Sequence, residues 1–378
     1  MSAISRIGSS SSSALWLLLL ASAVLPILVV AQNAKQDLSP SQSNSSSTRE
    51  SGKRSNGNNP HKEVTDYDIY EVLGVQKPHD FFSPYWRRKS WKWHSQLLPL
   101  LHFGEKDICP PDVFVNLRVL WNKALTSLDK RSPANEAMDH YPTYHMLPRL
   151  SRWILFRLVP RWMYPRWFHA NIELRTVYLN RAMEDEIQTI LSQGHVTSIH
   201  LIVMGGGYDT RSIRTLVRYP QVTQAWELDL KPVAESKRKL VKRLYRQLPQ
   251  LAHVEASLNV LDVDLNDLDQ LDSALARIAR DQTESTHTII LTEAVLMYLD
   301  DGIPSKILQL CLERFEPRVS WLFVDRFRES SNVGSESHSQ DSMTLTQQPW
   351  REFSALNGWQ VKNWLIKPGG TRHMGIAR

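Results

Sequence analysis

Three glycines in a row, Gly205-Gly206-Gly207, end the apolar run SIHLIVM at residues 198–204, and Asp209-Thr210-Arg211 follows after a single tyrosine. Glycine directly behind a stiff apolar segment permits positive φ and lets a ligand lie against the backbone. Two carboxylates, Glu227 and Asp229, come 22 and 24 residues after Gly205. In nucleotide-binding βαβ units an acid about 20 residues beyond the glycines hydrogen-bonds ribose hydroxyls. The loop departs from G-x-G-x-x-G at one place, because Thr210 stands where the third glycine would be. That disfavours a pyrophosphate cradle. A nucleoside without phosphates, S-adenosylmethionine, fits the pattern better, and a purely structural glycine turn is the competing reading.

Hydrophobic periodicity supplies the elements that must hold these residues. It predicts a helix over 174–191, a buried strand over 198–204 and a helix over 210–218. A strand over 224–228 then leads into a basic helix over 232–247 with proline at its start. Further on come a strand over 253–261, a helix over 266–280, a strand over 286–292, a helix over 304–315 and a strand over 319–324. A last strand pair is expected near Trp364 and over 373–376. Alternation of this kind implies an α/β fold with a doubly wound, mostly parallel sheet and helices on both faces. Ligands bind outside the carboxyl ends of such strands. Gly205 to Asp209, Glu227 to Asp229, Asp262 to Leu265 and Glu293 to Tyr298 all fall at those ends.

Taken in order, GGGYDTR (205–211), WELD (226–229), DVDLND (262–267) and TEAVLMYL (292–299) resemble the motif series of the leucine carboxyl methyltransferase family, over residues 172–378. The resemblance implies a Rossmann-like methyltransferase fold and S-adenosylmethionine as cofactor. It implies that Gly205 and Gly207 line the methionine portion and that Asp229, with Glu227, holds the ribose. Asp264 and Leu265 would frame the adenine, Glu293 would lie near the methionine amine, and Tyr298 beside the transferred methyl. The family's upstream arginine, which grips the cofactor carboxylate, corresponds to Arg175, with Arg181 in reserve.

Methyl transfer from a sulfonium is an in-line displacement, so alignment and exclusion of water are the protein's main tasks. A carboxylate acceptor, on a protein C-terminus or a small molecule, is already ionised at neutral pH and needs no general base. An arginine orienting that carboxylate is expected instead, with Arg211 and Arg181 as candidates against the alternative that each lies on a helix surface. Asp209 is placed to cap the helix after the loop while shaping the loop itself.

The residues before the sheet read differently. Ala14 to Ala31 is uncharged and ends in Val-Val-Ala, which suits a cleavable signal peptide or, alternatively, an uncleaved anchor, and so admission to the secretory pathway. Residues 32–64 are Ser/Asn/Gly-rich and include the sequon Asn44-Ser45-Ser46. Over 65–145, YEVLGV, a basic helix from Ser83-Pro84 to His94, a helix over 113–128 and the LDKR and DHY segments resemble a J-domain. The family's His-Pro-Asp loop is here His94-Ser95-Gln96, which implies a degenerate all-α module for docking or chaperone contact; a generic helical extension is the alternative. The resemblance implies that residues 146–378 form the methyltransferase domain. Within them, Arg/Trp-rich residues 149–169 suit a membrane surface, a lid or a linker helix, and Ser-rich residues 328–346 suit a loop over the site. The formal net charge of +6 is modest and comes largely from an Arg/Trp-rich region between Tyr85 and Arg166 rather than from a tract of Lys, which argues little for nucleic acid. Cys109 and Cys311, the two cysteines, rule out a disulfide framework, and no Cys/His cluster has metal-ligand spacing. Rival functions are a non-catalytic binding protein on a decayed methyltransferase scaffold and a co-chaperone.

Overall fold

The computed structural model describes residues 73, 114–127, 141–153, 170–326, 358–366 and 372–378. All of them fall in one of the chain's two compact units, Tyr67–Arg157 with Arg166–Arg378; the other unit, Met1–Asp66 with Leu158–Pro165, lies outside the described residues. So do the expected signal segment, most of the J-like module and the Ser-rich loop.

Three helices precede the sheet: α1 (Phe114–Thr126), α2 (Tyr141–Met146) and α3 (Arg149–Trp153). The 23-residue α4 (Ala170–Ser192) leads into β1 (Ser198–Met204). The chain continues through α5 (Arg211–Arg218), β2 (Val222–Asp229), α6 (Lys231–Gln247), β3 (Leu258–Asp262), α7 (Leu268–Arg280) and β4 (Thr286–Glu293). It ends with α8 (Ile303–Phe315), β5 (Val319–Arg326), β6 (Val361–Ile366) and β7 (Arg372–Ala377).

The seven strands lie in the order β3-β2-β1-β4-β5-β7-β6, with β1 to β5 parallel and β7 antiparallel to both its neighbours. From β1 the chain winds outward to β2 and β3, then returns to build β4 and β5 on the other side. The switch point therefore lies between β1 and β4, where a crevice opens at the strand ends. Side chains alternate across the sheet. Ile202, Met204, Trp226, Leu228, Ile290, Trp321 and Phe323 fill one face with Leu271, Leu275, Ile278, Leu308 and Phe315 of α7 and α8. Leu201, Val203, Ala225, Ile289, Leu291, Leu322 and Val324 are also buried, so the opposite face is covered too. That second face receives Glu227 and Glu293.

Two expectations change. Residues 249–257 form a 3-10 helix opened by Pro249, and β3 is only Leu258–Asp262 rather than 253–261. Proline fixes the φ of a first turn and removes an N–H that a strand would need. The helix expected from residue 266 starts at Leu268, because the Asp267 carboxylate accepts the Gln270 N–H as an N-cap. Helix α1 packs on α2 and α4, and α2 on α6, within the same compact unit as the sheet.

Among the described residues no helix is long and apolar enough to cross a membrane, and no group of His, Cys, Asp and Glu could hold a metal ion. Cys311 is a buried free thiol. Three buried histidines, His200, His287 and His373, are each pushed by desolvation down to about 4. His200 stacks on Trp226 with centroids 4.8 Å apart, and the His287 imidazole shares a hydrogen bond with the Ser320 hydroxyl at 2.8 Å. A base whose folded value is depressed leaves the unfolded chain holding more protons. Its stabilisation is complete above 6.5 and is lost as pH falls from 6.5 through about 4. Denaturant unfolding should therefore lose up to roughly 3 kcal/mol per histidine across that window, at 1.36 kcal/mol per unit. His200→Phe, which keeps an aromatic contact to Trp226, should show a shallower slope than the parent chain, and equal slopes would refute the assignment.

Candidate functional site

Gly205 leaves β1 with φ +62°, and a Cβ there would sit 2.7 Å from the Val295 Cβ. Both the left-handed backbone and the packed valine require glycine at this position. The Gly205 N–H donates to the Leu228 carbonyl at 2.8 Å, which ties the loop's start to β2. At Gly207, φ is +49° and the N–H donates to Asp229 Oδ2 at 2.7 Å. Asp229 Oδ1 accepts the Leu230 N–H at 2.9 Å, so one carboxylate braces the loop and its own strand end. Burial raises the Asp229 carboxyl above its ordinary value, and the two backbone N–H bonds pull it partly back.

Beside the loop lies a buried cluster of charges drawn from several elements. Glu293, at the end of β4, accepts from Lys123 Nζ at 3.1 Å and Arg211 Nη1 at 2.9 Å on Oε2, and its Oε1 lies 3.2 Å from Arg175 Nε. Asp209 Oδ2 lies 2.7 Å from Lys123 Nζ and 2.6 Å from Arg211 Nη1. Its Oδ1 accepts the Arg211 N–H at 3.1 Å, a local turn that shapes the loop one residue ahead of the N-cap Thr210. Arg211 Nε donates to Asn180 Oδ1 on α4 at 3.2 Å. Desolvation by itself would raise the Glu293 carboxyl. The charges of Lys123, Arg211 and Arg175 outweigh it and hold the group well below the carboxylate range. Among the described residues, the cluster sets three cations against two carboxylates.

Upstream helices roof this cluster. The Lys123 side chain, on α1, is 2% exposed. Asn116, about two turns earlier on α1, brings Oδ1 to 3.4 Å from where a Gly207 Cβ would be. On α2, the Thr143 hydroxyl shares a 2.8 Å hydrogen bond with Thr210, leaving no side-chain cap from Thr210 on α5. Asn116 and Thr143 both fall within residues 65–145, read from the sequence as a J-like module, and here they meet the glycine loop and the start of α5.

The turn after β4 is held from below. Ala294 has φ +56°, a left-handed conformation that costs a non-glycine residue about 1 kcal/mol or more. Buried Asp325, on β5, accepts the N–H groups of Val295 and Leu296 on Oδ2 at 3.0 and 3.1 Å, and that of Met297 on Oδ1 at 3.3 Å. Those bonds fix the turn that presses Val295 onto Gly205.

The expected site residues thus divide. Gly205, Gly207, Asp209, Asp229, Arg175, Arg211 and Glu293 converge at the ends of β1, β2 and β4. Arg211 is buried, with its guanidinium engaged by Asp209, Glu293 and Asn180. Arg181 is half-buried on α4. Glu227 is buried and paired with Lys237 of α6. Beyond β3, Leu265 is buried in the core, while Asp264 is exposed and accepts the Asn266 N–H at 2.9 Å. Tyr298, in the short 3-10 turn Leu296–Tyr298, is 60% exposed at the rim.

Sequence reasoning missed Lys123, Asn116, Lys237 and Asp325. Asp325 alone carried a signal, a lone acid closing the apolar strand VSWLFVD. A carboxylate there must find donors, and the adjacent β4 turn supplies them.

Breaking a buried ion cluster from one side typically costs about 3–5 kcal/mol. Lys123→Met should lower stability by that order, although the position lies outside the sheet. Glu293 stabilises the fold fully above its ordinary value of 4.5, and that contribution is lost as pH falls below it. Denaturation of Glu293→Gln at pH 7 should show a comparable loss, and a smaller difference from the parent at pH 4. A constant difference would contradict the charge assignment.

The family model of leucine carboxyl methyltransferase matches residues 152–310. No curated protein matches the chain. Among solved structures, an O-methyltransferase family protein from Burkholderia thailandensis is similar at 15% identity, over 64% of this chain and 70% of that one, with a TM-score of 0.32. A mitomycin 7-O-methyltransferase is similar at 16% identity, over 65% and 71%, with a TM-score of 0.31. A pericyclic reaction enzyme shares 15% identity over 48% of this chain, which spans 42% of that enzyme's length, with a TM-score of 0.30. Likeness at this level bears on neither chemistry nor substrate. The family match starts at α3 and ends in α8, enclosing the glycine loop, Asp229 and Glu293. Residues 152–310 of this chain are thus similar to the leucine carboxyl methyltransferase family, a match that implies S-adenosylmethionine as the cofactor.

Proposed function

We propose that the protein is an S-adenosylmethionine-dependent methyltransferase acting on a carboxylate, on a protein C-terminus or a small molecule. The convergence of the glycine loop, Asp229 and the buried charge cluster at the sheet's switch point carries this reading.

The residues fit that cofactor better than a phosphorylated nucleotide. A phosphate on this loop would seek free N–H groups. The Gly207 N–H is instead taken by Asp229, and the Arg211 N–H at the start of α5 by Asp209. Carboxylates thus stand where phosphates would lie. The excess of cations over carboxylates among the cluster's described residues suits the α-carboxylate of a methionine moiety, and Arg175 and Lys123 are the groups to hold it. Asp229 accepts two backbone N–H bonds and keeps lone pairs for ribose hydroxyls, since a carboxylate offers about four acceptor sites.

Bound there, the cofactor supplies an electrophilic methyl group on a sulfonium. The chain's own task is to align that group and keep water out. Val295 and the Asp325-braced turn form a rigid wall beside Gly205, and Tyr298 stands open at the rim for the acceptor. An ionised acceptor requires no proton transfer, which agrees with a cluster built from Lys, Arg, Asp and Glu. With Arg211 engaged inside the cluster, Arg181 is the remaining sequence candidate for orienting the acceptor. Secretory-pathway targeting by residues 1–31 is part of the same proposal, supported by their uncharged apolar run.

Calorimetric titration of S-adenosylmethionine into the full chain tests the reading. Asp229→Ala should weaken binding by roughly 1–3 kcal/mol, the loss of a buried hydrogen-bonding partner. A parent protein that does not bind the cofactor would sink the proposal, and an unchanged Asp229→Ala would move the ribose contact elsewhere.

A further inference from the structure

Glu227 and Lys237 form an ion pair with both side chains 2% exposed, deep in the face opposite α7 and α8. Ser212, at the start of α5, also hydrogen-bonds Glu227. The pair lies directly under the glycine loop. A Cβ on Gly206 would come within 3.4 Å of the Glu227 side chain, and Lys237 Nζ lies 3.5 Å from the Gly206 carbonyl oxygen. That carbonyl also accepts the Asp209 N–H at 3.1 Å. On the other side of the same peptide unit, the Gly207 N–H donates to Asp229.

One peptide plane, between Gly206 and Gly207, is therefore held from both ends. A trans peptide points its carbonyl and its N–H in opposite directions. Glycine on both sides lets such a plane rotate with little steric penalty. Whichever way it turns decides whether the loop offers an N–H or a carbonyl to Asp229, and so where the carboxylate's free lone pairs are aimed. We propose that Lys237 is a positioning residue for the cofactor site: its ammonium draws the Gly206 carbonyl inward, which locks the Gly207 N–H onto Asp229. Glu227 balances the Lys237 charge, so that no bare cation lies beneath a ligand that is itself a sulfonium. This gives the two acids of the WELD motif separate tasks, Asp229 at the ligand and Glu227 under the loop. It rests on the cofactor reading above.

The test removes both charges together, because a lone buried carboxylate would destabilise the fold for unrelated reasons. Glu227→Gln/Lys237→Met should unfold near the parent midpoint. In the ligand-free protein, amide hydrogen exchange over residues 205–210 should accelerate by about tenfold or more, the consequence of losing a hydrogen bond to a charged group. Affinity for S-adenosylhomocysteine, read by calorimetry, should fall by a similar factor. If the methionine side chain compromises folding, Glu227→Gln/Lys237→Gln replaces the pair with amides too short to reach the Gly206 carbonyl, and the same changes are expected. Parent-like exchange and affinity in a folded double variant would overturn the proposal and leave the pair a packing element. The exchange measurement needs no cofactor. A parent chain that fails to bind S-adenosylhomocysteine would therefore defeat the functional reading separately from the positioning role.

Discussion

Glu293 is a carboxylate that β4 delivers, by strand alternation, into the buried face of the sheet. An isolated charge in such a place is untenable, because desolvation outweighs anything the fold gains by keeping it there. It persists because Lys123, Arg175 and Arg211 surround it, and Asp209 offsets part of their charge. Those partners come from α1, α4 and the start of α5. Satisfying one acid thus ties the upstream helices to the strand ends and, among the described residues, leaves one positive charge over. The architecture of the site follows from that requirement.

A second constraint is steric. Gly205 can adopt its left-handed turn because it lacks a Cβ, and Val295 occupies the space the Cβ would need. Val295 stands there because Asp325 holds three consecutive N–H groups of its turn, against the strain at Ala294. Loop and turn brace one another across the crevice between β1 and β4. The ion pair of Glu227 and Lys237 extends the same logic below the loop.

Much of this was legible in the sequence where the signal is local. Apolar runs ending in glycine or acid marked β1, β2 and β4, and the interval from Gly205 to Asp229 marked an acid that lies against the glycine loop. Sequence could not separate Glu227 from Asp229, since both lie on the same face at nearly the same distance from the loop. What separates them is Lys237, a full element away on α6. Lys123 was unreadable for a related reason: on a helix patterned like any core helix, its partners are carboxylates far along the chain. The misplaced start of β3 came from apolar residues before it, which Pro249 commits to a 3-10 helix.

The account turns on the positive charge that the cluster's described residues leave over being reserved for a carboxylate. Calorimetric comparison of S-adenosylhomocysteine with its decarboxylated analogue tests that directly in the full chain. Deleting the carboxylate from the ligand removes a charge-assisted hydrogen bond and should reduce affinity by roughly tenfold to a hundredfold. Lys123→Met should narrow that gap, because it removes the cation that α1 contributes. Equal affinity for the two ligands would contradict the account and make the cluster a structural device alone.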